Sequence, residues 1–313
     1  MLIMKRIRIF HFFLAMAVGV ALAGCVRDEE ANPDVTIDIG PADNTVFPRS
    51  NGLLPGLFDI GNGKYVRFSH GNLQYKASTN QWRLAANQYD RVGLGNRNIS
   101  ATGSQWIDLF AWGTSGCDPD VPVCYCSTDD STVIPVKESL FSPTNLYDWG
   151  LFNAIPNAGD SAGWLRTLSG SQWHYLLNQR YLAKEKRGVA KVEGVVGCVL
   201  LPDLWLAPQG VPFVPDTSQY LPADSSQVNT PYVNVYDKKT WQAMEDEGAV
   251  FLPYAGHRKG HNVIGIDERG LYWSSTSRSL LSGTFNYMDL NKKTTEFCNW
   301  YIGLAVRLVY FEN

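Results

Sequence analysis

The chain has 313 residues, with 27 Lys and Arg against 30 Asp and Glu and a formal net charge of −3. The absence of a basic excess or stripe excludes the electrostatic footprint of nucleic-acid binding. With 18% charged and 12% aromatic residues, ten Trp and fifteen Tyr among them, the composition suits a rigid, loop-rich domain with aromatic faces available for contact.

The first residues carry Lys5, Arg6 and Arg8 and no acid, followed by an apolar run from Ile9 to Ala23 broken only by His11. A spanning helix needs about 20 residues, so this shorter run with a cationic flank predicts a signal peptide over residues 1–24. It ends Leu22-Ala23-Gly24-Cys25, which resembles the lipobox of bacterial lipoproteins. That resemblance implies cleavage before Cys25 and lipidation of its thiol. Membrane affinity then comes from the acyl chains, at about 0.8 kcal/mol per buried CH₂. Removing residues 1–24 takes away three cations and no acid. The mature chain then holds 24 cations against 30 acids, a net charge of −6.

Val26-Arg27-Asp28-Glu29-Glu30 looks like the acidic surface-export signal of lipoproteins from the Bacteroides group; a solvated linker is the plain alternative. Residues 25–52 are rich in Asp, Asn, Pro and Gly without periodicity and predict a lipidated cysteine followed by a flexible spacer. No later stretch is apolar enough to span a bilayer. Residues 53–313 are expected to form one globular domain, long enough to bury a sizeable core.

Within that domain, short strands are expected at Lys64 to Ser69, Asn72 to Tyr75 and Trp82 to Ala85, separated by Gly, Asn and Ser. Residues 87–165 show little periodicity but many large apolar residues, the pattern of an ordered loop region. Short helices are expected there at Trp106 to Ala111 and Leu146 to Ala154. The clearest helix is Gly170 to Tyr181. Ser169 and Gln172 form a capping box, Leu168 and Trp173 a hydrophobic staple, and Trp173, Leu176 and Leu177 the buried stripe. Strands follow at Gly188 to Glu193 and Val195 to Leu201, then a helix at Lys239 to Glu247 that buries Trp241 and Met244 and stops at Gly248. The final part predicts strands at Ala249 to Pro253, a hairpin joining Asn262–Asp267 to Leu271–Ser275, then Thr284 to Asn291 and Leu304 to Tyr310. Two helices among short antiparallel strands make an α+β pattern.

Six cysteines are present: Cys25, Cys117, Cys124, Cys126, Cys198 and Cys298. With Cys25 lipidated, five remain in an oxidising compartment, so at least one stays free or pairs between chains. A local bridge among Cys117, Cys124 and Cys126 is one reading and zinc the rival, which wants four ligands. A bridge between Cys198 and Cys298 is a further candidate. His257 and His261 have the spacing of two helical metal ligands. Yet Gly256 and Gly260 flank them and predict a turn, so no metal site is assigned. Asp118, Asp120, Asp129 and Asp130 share one loop, where solvation is the simpler reading. No G-x-S-x-G, H-E-x-x-H or phosphate-binding loop occurs, and no cofactor is expected. His70, in a Ser-His-Gly turn, is read as structural.

Several phrases together carry a resemblance. They are Val66-Arg-Phe-Ser-His-Gly71-Asn-Leu-Gln-Tyr75, Trp106-Ile-Asp-Leu-Phe-Ala-Trp112-Gly-Thr-Ser-Gly116, Trp164-Leu-Arg-Thr-Leu-Ser169-Gly-Ser-Gln-Trp173, Val199-Leu-Leu-Pro-Asp203-Leu-Trp205, Gly248-Ala-Val-Phe-Leu-Pro253, Tyr272-Trp-Ser-Ser-Thr276 and Gly303-Leu-Ala-Val-Arg307-Leu. The set resembles surface lipoproteins of Bacteroides-type bacteria and is similar to the major paralogous domain first noted in Fibrobacter. That domain is itself like C-type lectins and formylglycine-generating enzymes. The resemblance covers about residues 54–310. It implies a C-type-lectin-like α+β fold with two small sheets, two main helices and a long loop region.

The chain departs from the calcium-dependent sugar lectins. It lacks their Glu-Pro-Asn or Gln-Pro-Asp and their Trp-Asn-Asp, having Glu296-Phe-Cys-Asn299-Trp300 instead. It also lacks the paired C-terminal cysteines of the formylglycine-generating enzymes. The expectation is a non-catalytic binding or adhesion module at the outer membrane, taking a glycan or a surface protein. Trp112, Trp149, Trp205 and Trp300 are the candidate contact residues. A structural subunit of a surface assembly, such as a pilus tip, is the alternative, and an enzyme the third reading.

Overall fold

The structure, a computed structural model, describes residues 51–116, 120–128, 147–216, 232–279, 282–288 and 293–312. The leader, Cys25, the acidic pentapeptide, the spacer up to residue 50, Cys117, Asp118, Asp129 and Asp130 lie outside them. No helix among the described residues is long and apolar enough to cross a membrane.

In chain order the first elements are β1 (Phe58–Asp59), β2 (Tyr65–Phe68), β3 (Leu73–Lys76), β4 (Gln81–Leu84), β5 (Trp106–Ile107), α1 (Trp149–Phe152), β6 (Arg166–Thr167) and α2 (Gly170–Asn178). Then come β7 (Arg187–Val192), β8 (Val195–Leu200), β9 (Asn234–Tyr236), α3 (Lys238–Asp246), β10 (Val250–Pro253), β11 (His257–Lys259) and β12 (Asn262–Ile264). The last are β13 (Gly270–Ser279), β14 (Ser282–Met288), β15 (Lys293–Asn299) and β16 (Leu308–Phe311).

Both main helices begin where their side chains satisfy the exposed amides of the first turn. Ser169 Oγ accepts from the Gln172 amide, and Gln172 Oε1 accepts from the Ser169 amide, closing the expected capping box. Leu168 and Trp173 are buried in one cluster, as a staple requires. Asp237 Oδ1 caps α3 by accepting from the Thr240 amide at 2.8 Å. Gly248 follows at φ +89°, the left-handed conformation that lets the chain leave the helix.

The α+β class holds, but the strands do not gather into two sheets. Among the described residues they form five: β1-β2-β16-β6, β10-β8-β7-β9, β4-β3-β5, β11-β12 and β13-β14-β15. Many strands are two to four residues long, and positive-φ residues punctuate the connections. The expected hairpin between Asn262–Asp267 and Leu271–Ser275 is not formed. β12 pairs back onto β11, with Lys259 opposite Asn262, and β13 pairs forward onto β14. Gly265 and Asp267, at φ +75° and +64°, break the chain between them. The expected helix at Trp106 to Ala111 is instead strand β5 followed by irregular chain.

Three apolar clusters fill the body. The first contains Trp82, Phe110, Trp112, Trp149, Trp273 and Trp300. The second holds Phe58, Phe68, Trp173, Cys198, Leu252 and Tyr272. The third lies under α3, with Val199, Trp241, Met244 and Phe251. The β10-β8-β7-β9 sheet separates the second from the third. Val196, Cys198 and Leu200 of β8 enter one and Val199 the other, which is why β8 and its neighbour β10 read as unbroken apolar runs.

Arg307 crosses this interior with no exposed surface. Its guanidinium donates to Asn72 Oδ1 at 3.0 Å, the Ser69 carbonyl at 2.8 Å and the Phe251 carbonyl at 2.5 Å. Asn72 in turn donates to the Tyr272 hydroxyl (3.2 Å), which donates to the Pro253 carbonyl (2.8 Å). Burial lowers the Arg307 pKa to about 10, still charged at neutral pH. Replacing it strands several buried acceptors, each worth about 1–3 kcal/mol. Arg307→Leu is therefore expected to lower the unfolding free energy by about 3–5 kcal/mol, and Arg307→Lys to recover only part of that, both read from urea denaturation midpoints.

Candidate functional site

The β4-β3-β5 sheet has two unlike faces, because side chains alternate along each strand. Leu73, Tyr75, Trp82, Leu84 and Ile107 enter the first cluster. The opposite face carries Gln74, Lys76, Gln81, Arg83 and Trp106. Register sets their neighbours: Gln74 lies opposite Arg83, and Lys76 opposite both Gln81 and Trp106. The Arg83 guanidinium stacks 3.9 Å from the centre of the Trp106 ring, and its Nε donates to Gln74 Oε1 at 2.8 Å. Lys76 Nζ lies 5.8 Å from the same ring. A half-buried tryptophan therefore sits on a polar sheet face within reach of two cations, an arrangement in which cation–π attraction orders the platform.

An open groove of about 580 Å³ runs along this face, lined by Gln74, Arg83, Tyr89, Asp90, Gln105 and Trp106 among others. Its far wall is the loop of residues 86–92, held from behind by two carboxylates. Asp267 accepts both terminal nitrogens of Arg91 at 2.6 Å and the Val196 amide at 2.8 Å. Asp108, fully buried, accepts from the Val92 amide (2.8 Å) and Asn96 Nδ2 (2.7 Å). Asn96 Oδ1 accepts from the Asp108 and Leu109 amides. Burial raises the Asp108 pKa, opposed by these hydrogen bonds. Within the loop, Asp90 accepts from Asn87. Burial, then the Asp90 charge, raises the Tyr89 hydroxyl pKa, keeping it a neutral donor at physiological pH. The wall is thus pre-formed, with planar amides, a guanidinium and a carboxylate beside an aromatic platform.

The tryptophans expected to make contacts are mostly elsewhere. Trp112, Trp149 and Trp300 are no more than 3% exposed and are corrected to core residues. Trp112 stacks on Tyr147 at 4.3 Å and tilts against Trp273 at 4.9 Å, because mutual burial of large rings outweighs leaving them wet. Trp205 is half-buried against the third cluster and does not line the groove. Trp106, hidden in the sequence by an expected helix, is the ring that the groove exposes. The signal was the alternation Leu73-Gln74-Tyr75-Lys76, which marks a strand with one polar face.

Cys124, Cys126, Cys198 and Cys298 are free thiols. The candidate bridge between Cys198 and Cys298 is not formed: Cys198 lies in the second cluster and Cys298 packs against the first. Burial pushes the Cys198 thiol up to about 11 and that of Cys298 to about 12. His257 and His261 sit on and at the turn of the β11–β12 hairpin, not on a helix. No group of three or more metal-ligating side chains occurs among the described residues.

Comparison with family models, with curated proteins and with solved structures finds no match. The groove therefore rests on its own geometry. Trp112→Ala is expected to cost about 3–5 kcal/mol of stability and Trp106→Ala less than about 1 kcal/mol, a contrast measured by urea unfolding of the two variants.

Proposed function

We propose that the chain is an outer-membrane lipoprotein whose domain is a non-catalytic glycan-binding module of C-type-lectin-like type. The observation that carries the reading is the Arg83–Trp106 platform on a polar sheet face. A saccharide ring offers an apolar C–H face and a fringe of hydroxyls. An aromatic platform takes the first, while planar side chains such as Gln74, Gln105 and Asp90 pair with the second. The terminal nitrogens of Arg83 suit bidentate contact with a sugar carboxylate. An open, pre-formed groove keeps the ordering cost of binding low. The two capped helices and the many short antiparallel strands support the lectin-like description.

Carbohydrate arrays probed with the purified chain are expected to give selective binding. Trp106→Ala and Arg83→Gln should each weaken it about tenfold or more, about 1.4 kcal/mol, with unfolding midpoints close to that of the parent. Binding that persists in both variants, or none at all on the array, overturns the glycan reading. An array without binders, together with crosslinked multimers recovered from intact cells, instead supports a structural subunit.

The anchor rests on Leu22-Ala23-Gly24-Cys25. In the native host, Cys25→Ser is expected to move the protein from the membrane to the soluble fraction, and intact-mass spectrometry to show loss of the acyl chains.

A further inference from the structure

The β11–β12 hairpin turns through Gly260 and His261 and presses against residues 124–128. The Gly260 amide donates to the Ser127 carbonyl at 3.0 Å. Gly260 has φ +57°, and a Cβ there would come within 2.4 Å of Thr128 Cγ2, so only glycine permits this approach. The contact carries His261 to Cys126. His261 Nδ1 lies 2.7 Å from the Arg97 carbonyl oxygen. That oxygen can only accept, so Nδ1 bears the proton, and Nε2 of the neutral ring keeps its lone pair. Nε2 faces Cys126 Sγ at 3.9 Å. From the interior side, the buried Arg258 guanidinium donates to the Tyr125 carbonyl at 3.0 Å and places a fixed positive charge beside the same thiol. A sulfur, a base facing it, a carbonyl that orients the base and a cation for the thiolate are thus assembled at a half-exposed position.

We propose that Cys126 is a nucleophilic thiol that His261 activates for exchange with external disulfides. Nε2 takes the Sγ proton. The thiolate attacks one sulfur of the incoming disulfide, a new S–S bond forms to Cys126, and the old S–S bond breaks. The departing sulfur leaves as a thiolate and takes up a proton from His261 or water. The incoming disulfide is the oxidant, and no other co-reactant enters. The geometry favours one cysteine. Burial pushes the Cys124 thiol up to about 11, and Cys198 and Cys298 are held protonated in the same way. A mixed disulfide at Cys126 therefore lacks a ready thiolate in Cys124 to displace it. This site is independent of the glycan reading and lies on different residues.

The test is substoichiometric Ellman's reagent, an aromatic disulfide, added to the full chain in detergent. Release of the coloured thiolate is followed and the labelled peptide is mapped by mass spectrometry. Cys126 is expected to carry the fast label, and Cys126→Ser to remove the fast phase with no change in melting temperature. His261→Gly should slow that phase about tenfold or more, and added imidazole should restore it, a response that a merely structural histidine would not give. The proposal is overturned if the fast label sits on Cys117 or another cysteine, if His261→Gly leaves the rate unchanged, if imidazole fails to rescue it, or if protein from the native host shows Cys126 bridged to Cys117.

Discussion

One buried cation with no acid hydrogen-bonded to it organises the molecule. Arg307 reaches three separate stretches of chain, around Ser69, Asn72 and Phe251, using only neutral oxygens. Coulomb attraction to a single carboxylate would have satisfied one direction; a planar fork aimed at carbonyls and an amide satisfies several. Its Nε partner Asn72 hands the connection on to Tyr272 and Pro253. The short strands β2, β3 and β10, which end just before, follow or contain these acceptors, are thereby tied to a common point. The cost is desolvation of a full charge, which the fold offsets by giving each of the three guanidinium nitrogens an acceptor.

The groove depends on that bracing at second hand. Asn72 precedes β3, whose Gln74 and Lys76 form part of the polar face, and β13, which carries Tyr272, follows the turn that holds Asp267. Asp267 and Asp108 then pin the 86–92 wall from two sides. None of these carboxylates lines the groove itself. They fix the positions of groups that do, which is how a surface built from loops is kept in shape without its ligand.

Local chemistry was legible in the sequence, and partner choice was not. The Ser169–Gln172 box and the Gly248 stop lie within a few residues of what they control, so α2 and α3 appear where capping places them. Strands β7, β8 and β10 were visible from their apolar character, whereas the three-residue β9, with Val235 exposed, was not expected. By contrast, β12 could pair with β11 or with β13 on pattern alone. What decides is the backbone sign at Gly265 and Asp267 and the claim of Arg91 on Asp267, which lies 176 residues away. The same limit governs the site. Trp112, Trp149 and Trp300 look identical to Trp106 as letters; the register of β5 against β3 puts Trp106 on the polar face, and packing in the first cluster buries the others. The meeting of Cys126 and His261 was likewise out of reach, since the two are 135 residues apart.

The distribution of indoles has an optical consequence. Of ten tryptophans, Trp82, Trp112, Trp149, Trp173, Trp241, Trp273 and Trp300 are buried, and Trp106, Trp164 and Trp205 are half-buried. Collisional quenchers dissolved in water reach emission from the second group far more readily than from the first. The protein therefore carries its own probe: a molecule settling over Trp106 shields one of few accessible fluorophores, while the shielded interior supplies a constant blue-shifted background.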